Sequence, residues 1–162
     1  MLIDLSSLKE VGSCKSIDRK IELPDLSYRE QEIVIPFPLD LKLDMYNTED
    51  SYTLTGSLAG NLVLTCSRCL ERFEYKIDIK INEELMKDEI NNISEFDISS
   101  ILIEHILLII PIKPICSQDC KGLCVQCGQN LNEGECDCEK DIIDPRMAKL
   151  KKLFDDKDNE EV

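Results

Sequence analysis

The sequence predicts an α+β protein: an antiparallel β-sheet with one packed core helix, then a C-terminal cysteine-rich, zinc-knuckle-like segment and a short helix. Three observations carry that prediction. Phe73, Tyr75, Ile77, Ile79 and Ile81 alternate with Glu74, Lys76, Asp78 and Lys80, the period of a half-buried strand. The run DISSILIEHILLII (97–110) is apolar enough for a buried helix, but shorter than the roughly twenty residues that cross a bilayer. Eight of the nine cysteines fall into four close pairs, three of them between Cys116 and Glu139, a stretch that has little apolar surface of its own.

Taken in order, residues 1–30 mix apolar and charged positions, with weak strand or helix signals over Met1 to Leu8 and a turn at Leu23-Pro24-Asp25. From Glu32, EIVIPFPLDLKLDM alternates like a strand, while Pro36 and Pro38 lack ladder donors and point to an edge or irregular one. Tyr52, Leu54, Leu58, Leu62 and Leu64 share one parity, which predicts a strand bent or bulged at Gly56 and Gly60. This strand and the one over 73–81 flank Cys66-Ser67-Arg68-Cys69, so that pair belongs at the turn of an antiparallel hairpin. In the helix, Asp97, Ser99 and Ser100 offer capping oxygens, and Ile98, Ile101, Leu102, Ile106 and Ile109 form the apolar face before Pro111. Pro111 and Pro114 force an extended exit. Finally, Asp144 and Pro145 suit the start of a short helix with Met147, Leu150 and Phe154 on one side. The expected organisation is therefore a β-rich domain over 1–110 with its helix near 97–110, a cysteine-rich metal-binding segment over 111–140, a C-terminal helix over 141–154 and a disordered acidic tail over 155–162.

Thirty-three acidic against nineteen basic residues leave a formal charge of −14, which argues against a general polyanion binder, since such affinity comes from Lys and Arg displacing counterions. The start MLIDLSSLKEV has no basic n-region and no long apolar run, so a cytoplasmic protein with no membrane association is expected. In a reducing compartment, close cysteine pairs read as metal ligands or redox groups rather than as a disulfide framework.

Two pairs make one tetrahedral thiolate site, and four pairs can be grouped in three ways. The favoured grouping joins Cys124 and Cys127 with Cys136 and Cys138, because only eight residues (128–135) must loop back and a short loop loses less entropy on closure. Gly128 supports it: a glycine after C-x-x-C takes positive φ and lets backbone N–H groups turn toward the sulfurs. The tight C-x-C at Cys136 and Cys138 is shorter than the usual spacing. The second grouping joins Cys66 and Cys69 with Cys116 and Cys120 across 46 residues (70–115), and Leu70 stands where the first has its glycine. One or two zinc ions per chain follow, with iron also acceptable to four thiolates. Otherwise Cys66 and Cys69 are partly buried thiols packed as small hydrophobes, or a redox pair, although a thioredoxin-like C-x-x-C leads from a strand into a helix and this one has strands on both sides. Cys14 is an incidental thiol.

A divalent ion on four thiolates is a net dianion, so metal would leave the chain more acidic. Contact with RNA would therefore fall to Arg68 and Arg72 at the hairpin turn and to Arg146, Lys149, Lys151 and Lys152 on the last helix, or these cations are simply solvated faces. Phosphate-cradling and nucleophile-elbow motifs are missing. The lone histidine, His105, sits in the apolar helix and reads as structural rather than as a base or ligand. All-cysteine sites have no open position, so the protein is expected not to be an enzyme and to take no small-molecule substrate.

The run CSQDCKGLCVQCGQNLNEGECDCEKDIIDPRMAKLKKLF, with LTCSRCLERFEY and LLIIPIKPIC upstream, closely resembles the YceD family of bacterial and plastid proteins, named for large ribosomal RNA subunit accumulation. The resemblance covers about 52–154, is most specific from Cys116 to Phe154, and departs at Val125, where many relatives have proline; residues 1–50 carry no placeable motif. It implies a factor needed for normal large-subunit ribosomal RNA levels, acting in processing or subunit assembly without established catalysis. It also implies a partner that is either that RNA or a ribosomal protein. Shorter relatives keep the hairpin C-x-x-C but lack much of the later cluster, which makes the hairpin pair more central than chain geometry alone suggests. Two further readings stand beside it: an acidic interaction module for a basic ribosomal protein, and a redox- or zinc-responsive regulator working through Cys66 and Cys69.

Overall fold

The computed structural model describes residues 1–28, 31–90 and 93–138. Its elements are β1 (Leu2–Ile3), β2 (Cys14–Ile21), β3 (Leu26–Tyr28), β4 (Gln31–Ile33), β5 (Leu39–Asn47), β6 (Ser51–Thr65), β7 (Arg72–Met86), a 3-10 turn (Lys87–Glu89), β8 (Phe96–Asp97) and α1 (Ser99–Ile109). A four-stranded antiparallel sheet runs β2-β5-β6-β7, and β1–β8 and β3–β4 form two small antiparallel ribbons. The described residues are thus mostly antiparallel sheet with one α-helix and a cysteine-rich C-terminal region. The expected helix over 141–154 and tail over 155–162 lie outside them.

The core follows from strand parity. Leu39, Leu41, Leu43 and Met45 of β5, Leu54, Leu58, Leu62 and Leu64 of β6, and Ile77, Ile79 and Ile81 of β7 are buried on one face, where Ile98, Leu102 and Ile106 join them. Each such side chain stabilises the fold by roughly 1.5–3 kcal/mol. The opposite face carries Asp40, Lys42 and Asp44 of β5 and Lys76, Asp78 and Lys80 of β7, with β6 between them, and faces water.

Four expectations need correction. The strand after Pro36 and Pro38 is neither edge nor irregular: β5 begins at Leu39, past both prolines and their cis Phe37–Pro38 bond, and lies between β2 and β6. The lost donors therefore fall in the connection, where the ladder does not need them. β6 has no bulge at its glycines, since its ladder with β7 runs unbroken from Ser51↔Met86 to Thr65↔Arg72. Gly56 is there because β5 passes so close that a Cβ would overlap the Lys42 carbonyl. In α1 the capping position belongs to Ile98, with no side-chain cap; Asp97 instead accepts the Ser99 N–H at 3.0 Å and holds the Met1 ammonium at 2.6 Å. Ile109 turns outward rather than into the core. The N-terminal third also contains a full strand, β2, whose aliphatic residues, only Ile17 and Ile21, are too few to signal an edge strand clearly.

Candidate metal centres

β6 and β7 pair as far as Thr65↔Arg72, which compresses residues 66–71 into a tight turn. The Cys66 N–H donates to the Glu71 carbonyl at 2.9 Å and the Leu70 N–H to the Cys66 carbonyl at 3.0 Å, which forces Leu70 to φ 61°, left-handed backbone that costs a non-glycine residue about 1–2 kcal/mol. Cys66 and Cys69 are buried beside Phe73. The chain leaving α1 comes back to them: the Ser67 N–H donates to the Pro114 carbonyl at 2.8 Å, and Cys116 and Cys120 complete a quartet whose four Sγ atoms lie within 4.8 Å of one another. Cys66 Sγ is 3.8 Å from Cys120 Sγ, and Cys69 Sγ is 3.7 Å from Cys116 Sγ. A tetrahedron of sulfurs about 2.3 Å from a central zinc has edges of about 3.8 Å, so the donor set fits.

The second quartet is local. Gly128 at φ 76° donates its N–H to the Cys124 carbonyl at 2.9 Å, the Cys124 N–H donates to Gln129 at 2.8 Å, and Leu123 bridges Asn130, making a miniature hairpin. Cys136 and Cys138 close on Cys124 and Cys127, again with all four Sγ within 4.8 Å. Cys127 is exposed and the other three are half-buried.

The thiols in each quartet differ electrostatically. Burial pushes Cys66 up, but N–H donors from Cys69, Arg68 and Cys116 outweigh it and hold the thiol at about 6. The neighbouring Cys120 thiol, then burial, pushes Cys116 up to about 12. Cys69 is raised although the Glu71 N–H opposes it, because burial and the Cys66 sulfur prevail. The Asn132 amide lowers Cys120 against burial. In the second quartet, the N–H groups of Cys127 and Gln126 bring Cys124 down to about 6, while Cys138 is pushed up to about 12, chiefly by the Cys127 sulfur. Cys136 is also raised: the Cys138 N–H lowers it, but Cys124 and burial win. Four anionic sulfurs this close need a cation, so some thiols keep their protons until a metal displaces them.

Thus the structure gathers Cys124, Cys127, Cys136 and Cys138 in one group and Cys66, Cys69, Cys116 and Cys120 in another, the first-ranked and second-ranked groupings. Cys14 stands outside both, on β2 opposite Tyr46. Arg68 and Arg72 are already engaged: Arg68 Nη1 donates to the carbonyls of Cys120 at 2.9 Å and Gln118 at 3.4 Å, and Arg72 Nη2 meets Glu32 at 2.6 Å. Arg146, Lys149, Lys151 and Lys152 lie outside the described residues. His105 Nε2 sits 3.1 Å from Glu83 Oε1, away from both quartets and off the line of a hydrogen bond. Sequence reasoning missed Asn132, whose Nδ2 reaches Cys120 Sγ at 3.4 Å; the only signal was an Asn-rich return loop. No described helix is long and apolar enough to cross a membrane.

Residues 54–154, a span that holds both quartets, match the family model described as "Large ribosomal RNA subunit accumulation protein YceD". An uncharacterized protein of Mycobacterium bovis is 30% identical over 129 residues, covering 72% of this chain and 62% of its own length. The uncharacterized protein YlbN of Bacillus subtilis is 28% identical over 150 residues, covering 85% and 86%. A chloroplastic protein of Arabidopsis thaliana named "Large ribosomal RNA subunit accumulation protein YCED homolog 1" is 39% identical over 61 residues, 38% of this chain and 19% of that one. The chain thus spans about six tenths of the length of the mycobacterial relative. No solved structure matches.

Proposed function

The chain belongs to the YceD family, and from that premise we propose that it is a non-enzymatic, metal-stabilised cytoplasmic factor for the accumulation of large-subunit ribosomal RNA, acting in its processing or in subunit assembly. The family match across both quartets carries the reading. Zinc is the ion that best suits two sets of four thiolates, with sulfur–sulfur edges of 3.7 and 3.8 Å in the first. Bound there it would supply structural cross-links. Cys66 and Cys69 would hold it from the hairpin and Cys116 and Cys120 from the segment after α1, so the cross-link would fix the cysteine-rich segment to the sheet. Four sulfurs fill a tetrahedral site and leave no position for a reacting water, which favours a binding role over a catalytic one.

The test is deletion of the gene in its own host, with the ratio of large- to small-subunit ribosomal RNA as readout. The wild-type chain should restore a lowered ratio, and the Cys66→Ser/Cys69→Ser variant should not. A ratio unchanged by deletion sinks the reading, and full rescue by the cysteine variant removes metal from it.

A second reading of the contact itself is favoured by one pair of observations. The charge is −14, and Arg68 and Arg72 are both held by partners within the chain. An acidic surface suits a basic ribosomal protein better than RNA, with charge complementarity steering the encounter. Affinity capture with and without ribonuclease separates the two: a ribosomal protein retained after digestion supports the protein contact, and its loss supports RNA.

A further inference from the structure

We propose that Asn132 and Arg68 join the two cysteine quartets into one binuclear unit, in which closing the second quartet tightens the hold of the first on its metal. The proposal rests on the metal-binding reading above and concerns the joint between the sites. Only residues 121–123 separate Cys120 of the first quartet from Cys124 of the second, and hydrogen bonds from both sides occupy that short bridge. The Lys121 N–H donates to Asn132 Oδ1 at 2.8 Å, the Leu123 N–H to the Arg68 carbonyl at 3.1 Å, and the Leu131 N–H to the Gly122 carbonyl at 2.9 Å. Arg68, in the hairpin turn, grips the Cys120 carbonyl through Nη1 at 2.9 Å. Gly122 has φ 77°, and a Cβ there would press to 3.1 Å from the Arg68 carbonyl, so the two turns meet backbone to backbone.

Asn132 is the residue that crosses over. It lies on the loop between Gly128 and Glu135 whose two ends the second quartet draws together, yet its Nδ2 donates to Cys120 Sγ, a sulfur of the first. It is held for that contact: its own N–H donates to Asn130 Oδ1 at 3.1 Å, and its Nδ2 is 2.9 Å from the same oxygen. Asn130 in turn is the bridge partner of Leu123. When Cys136 and Cys138 close on Cys124 and Cys127, the loop is drawn into shape and the amide is placed against Cys120. An N–H donor on a ligating sulfur stabilises its negative charge and fixes its direction, and losing such an outer partner typically weakens metal affinity 10–100-fold. Reciprocity then requires that metal in the first quartet tighten the second by the same factor.

The test uses the full chain purified with zinc and its ions counted. A series of chelator concentrations followed by a pulse of N-ethylmaleimide and mass spectrometry of the cysteine peptides reads each quartet separately. Asn132→Asp keeps an oxygen acceptor for the Lys121 N–H but removes the donor to Cys120, and Cys124→Ser/Cys127→Ser disables the second quartet. Each should loosen the first quartet by about 10–100-fold. Their combination should be no worse than the double serine variant alone, because an open loop no longer presents residue 132. Two bound ions with a first quartet untouched by either change would overturn the joint and leave the metal reading standing. A chain that binds no zinc would overturn the metal reading and the joint with it.

Discussion

The two cysteine turns reach nearly the same backbone by opposite routes. After Cys127, Gly128 takes φ 76° and donates its N–H to Cys124; after Cys69, Leu70 takes φ 61° and donates its N–H to Cys66. At the second turn the residue type permits the conformation, and at the first the sheet imposes it, because the register of β6 and β7 leaves six residues to reverse direction. Their surroundings differ in the same sense. Cys66, Cys69 and Cys120 are buried with Phe73 against them, whereas among the described residues the second quartet has Leu123 and Leu131 half-exposed and Val125 wholly exposed. One turn is held by a core that exists without metal; the other has almost nothing but its sulfurs.

Removing metal is the strongest way to test that contrast. Structural zinc is worth about 10–16 kcal/mol in small zinc-dependent folds, far more than packing offers around Gly128. Chelation should therefore abolish hydrogen-exchange protection at the amides of Cys124, Gly128 and Leu131, while the β5–β7 ladder keeps its protection and the Leu70 amide keeps part of it. Equal loss at both turns would show that the core does not hold the first one.

Acidification comes next in size. In the metal-free chain Cys66 and Cys124 sit at about 6, while Cys116 and Cys138 are pushed up to about 12 and Cys69 and Cys136 are raised as well. Near neutral pH each quartet must then shed at least the two protons of its raised thiols to take a divalent ion, so affinity rises with pH and falls as it drops. Below about 6, where Cys66 and Cys124 also hold protons, the fall steepens. Calorimetric titration in buffers of different ionisation enthalpy counts the protons released, and a count near zero would contradict the arrangement of charged and protonated sulfurs.

The same contrast explains what could be read in advance. Strict alternation from Phe73 to Ile81 announces β7, and the eight-residue return from Gly128 to Glu135 announces the second quartet, because local spacing decides both. The first quartet unites two pairs with 46 residues (70–115) between them, and its fit depends on where α1 delivers the chain, which is a tertiary matter. Leu70 misled for a related reason: turn propensity argues against it, yet fifteen paired residues on either side outweigh a cost of about 1–2 kcal/mol. The interior place of β5 was hidden by the two prolines just before it, and β2 by having only Ile17 and Ile21 as aliphatic residues. Asn132 looked like one more turn-former, and only the fold puts its amide on a sulfur belonging to the other quartet.

The smallest effect is the most discriminating. If packing forces Leu70 into a left-handed conformation, then Leu70→Gly should relieve strain, and because the side chain is 63% exposed little burial is lost with it. Glycine's greater freedom in the unfolded chain takes back about 0.5–1 kcal/mol, so the net gain in denaturant-measured stability is about 0.5–1 kcal/mol. Gly128→Ala should move the second turn the other way, by about 1 kcal/mol, because a Cβ there meets open space and only the backbone angle objects. A stabilised first turn beside a weakened second would confirm that the sheet imposes one and glycine permits the other. A Leu70→Gly variant that loses stability would mean that the exposed leucine contributes contacts outweighing its strain.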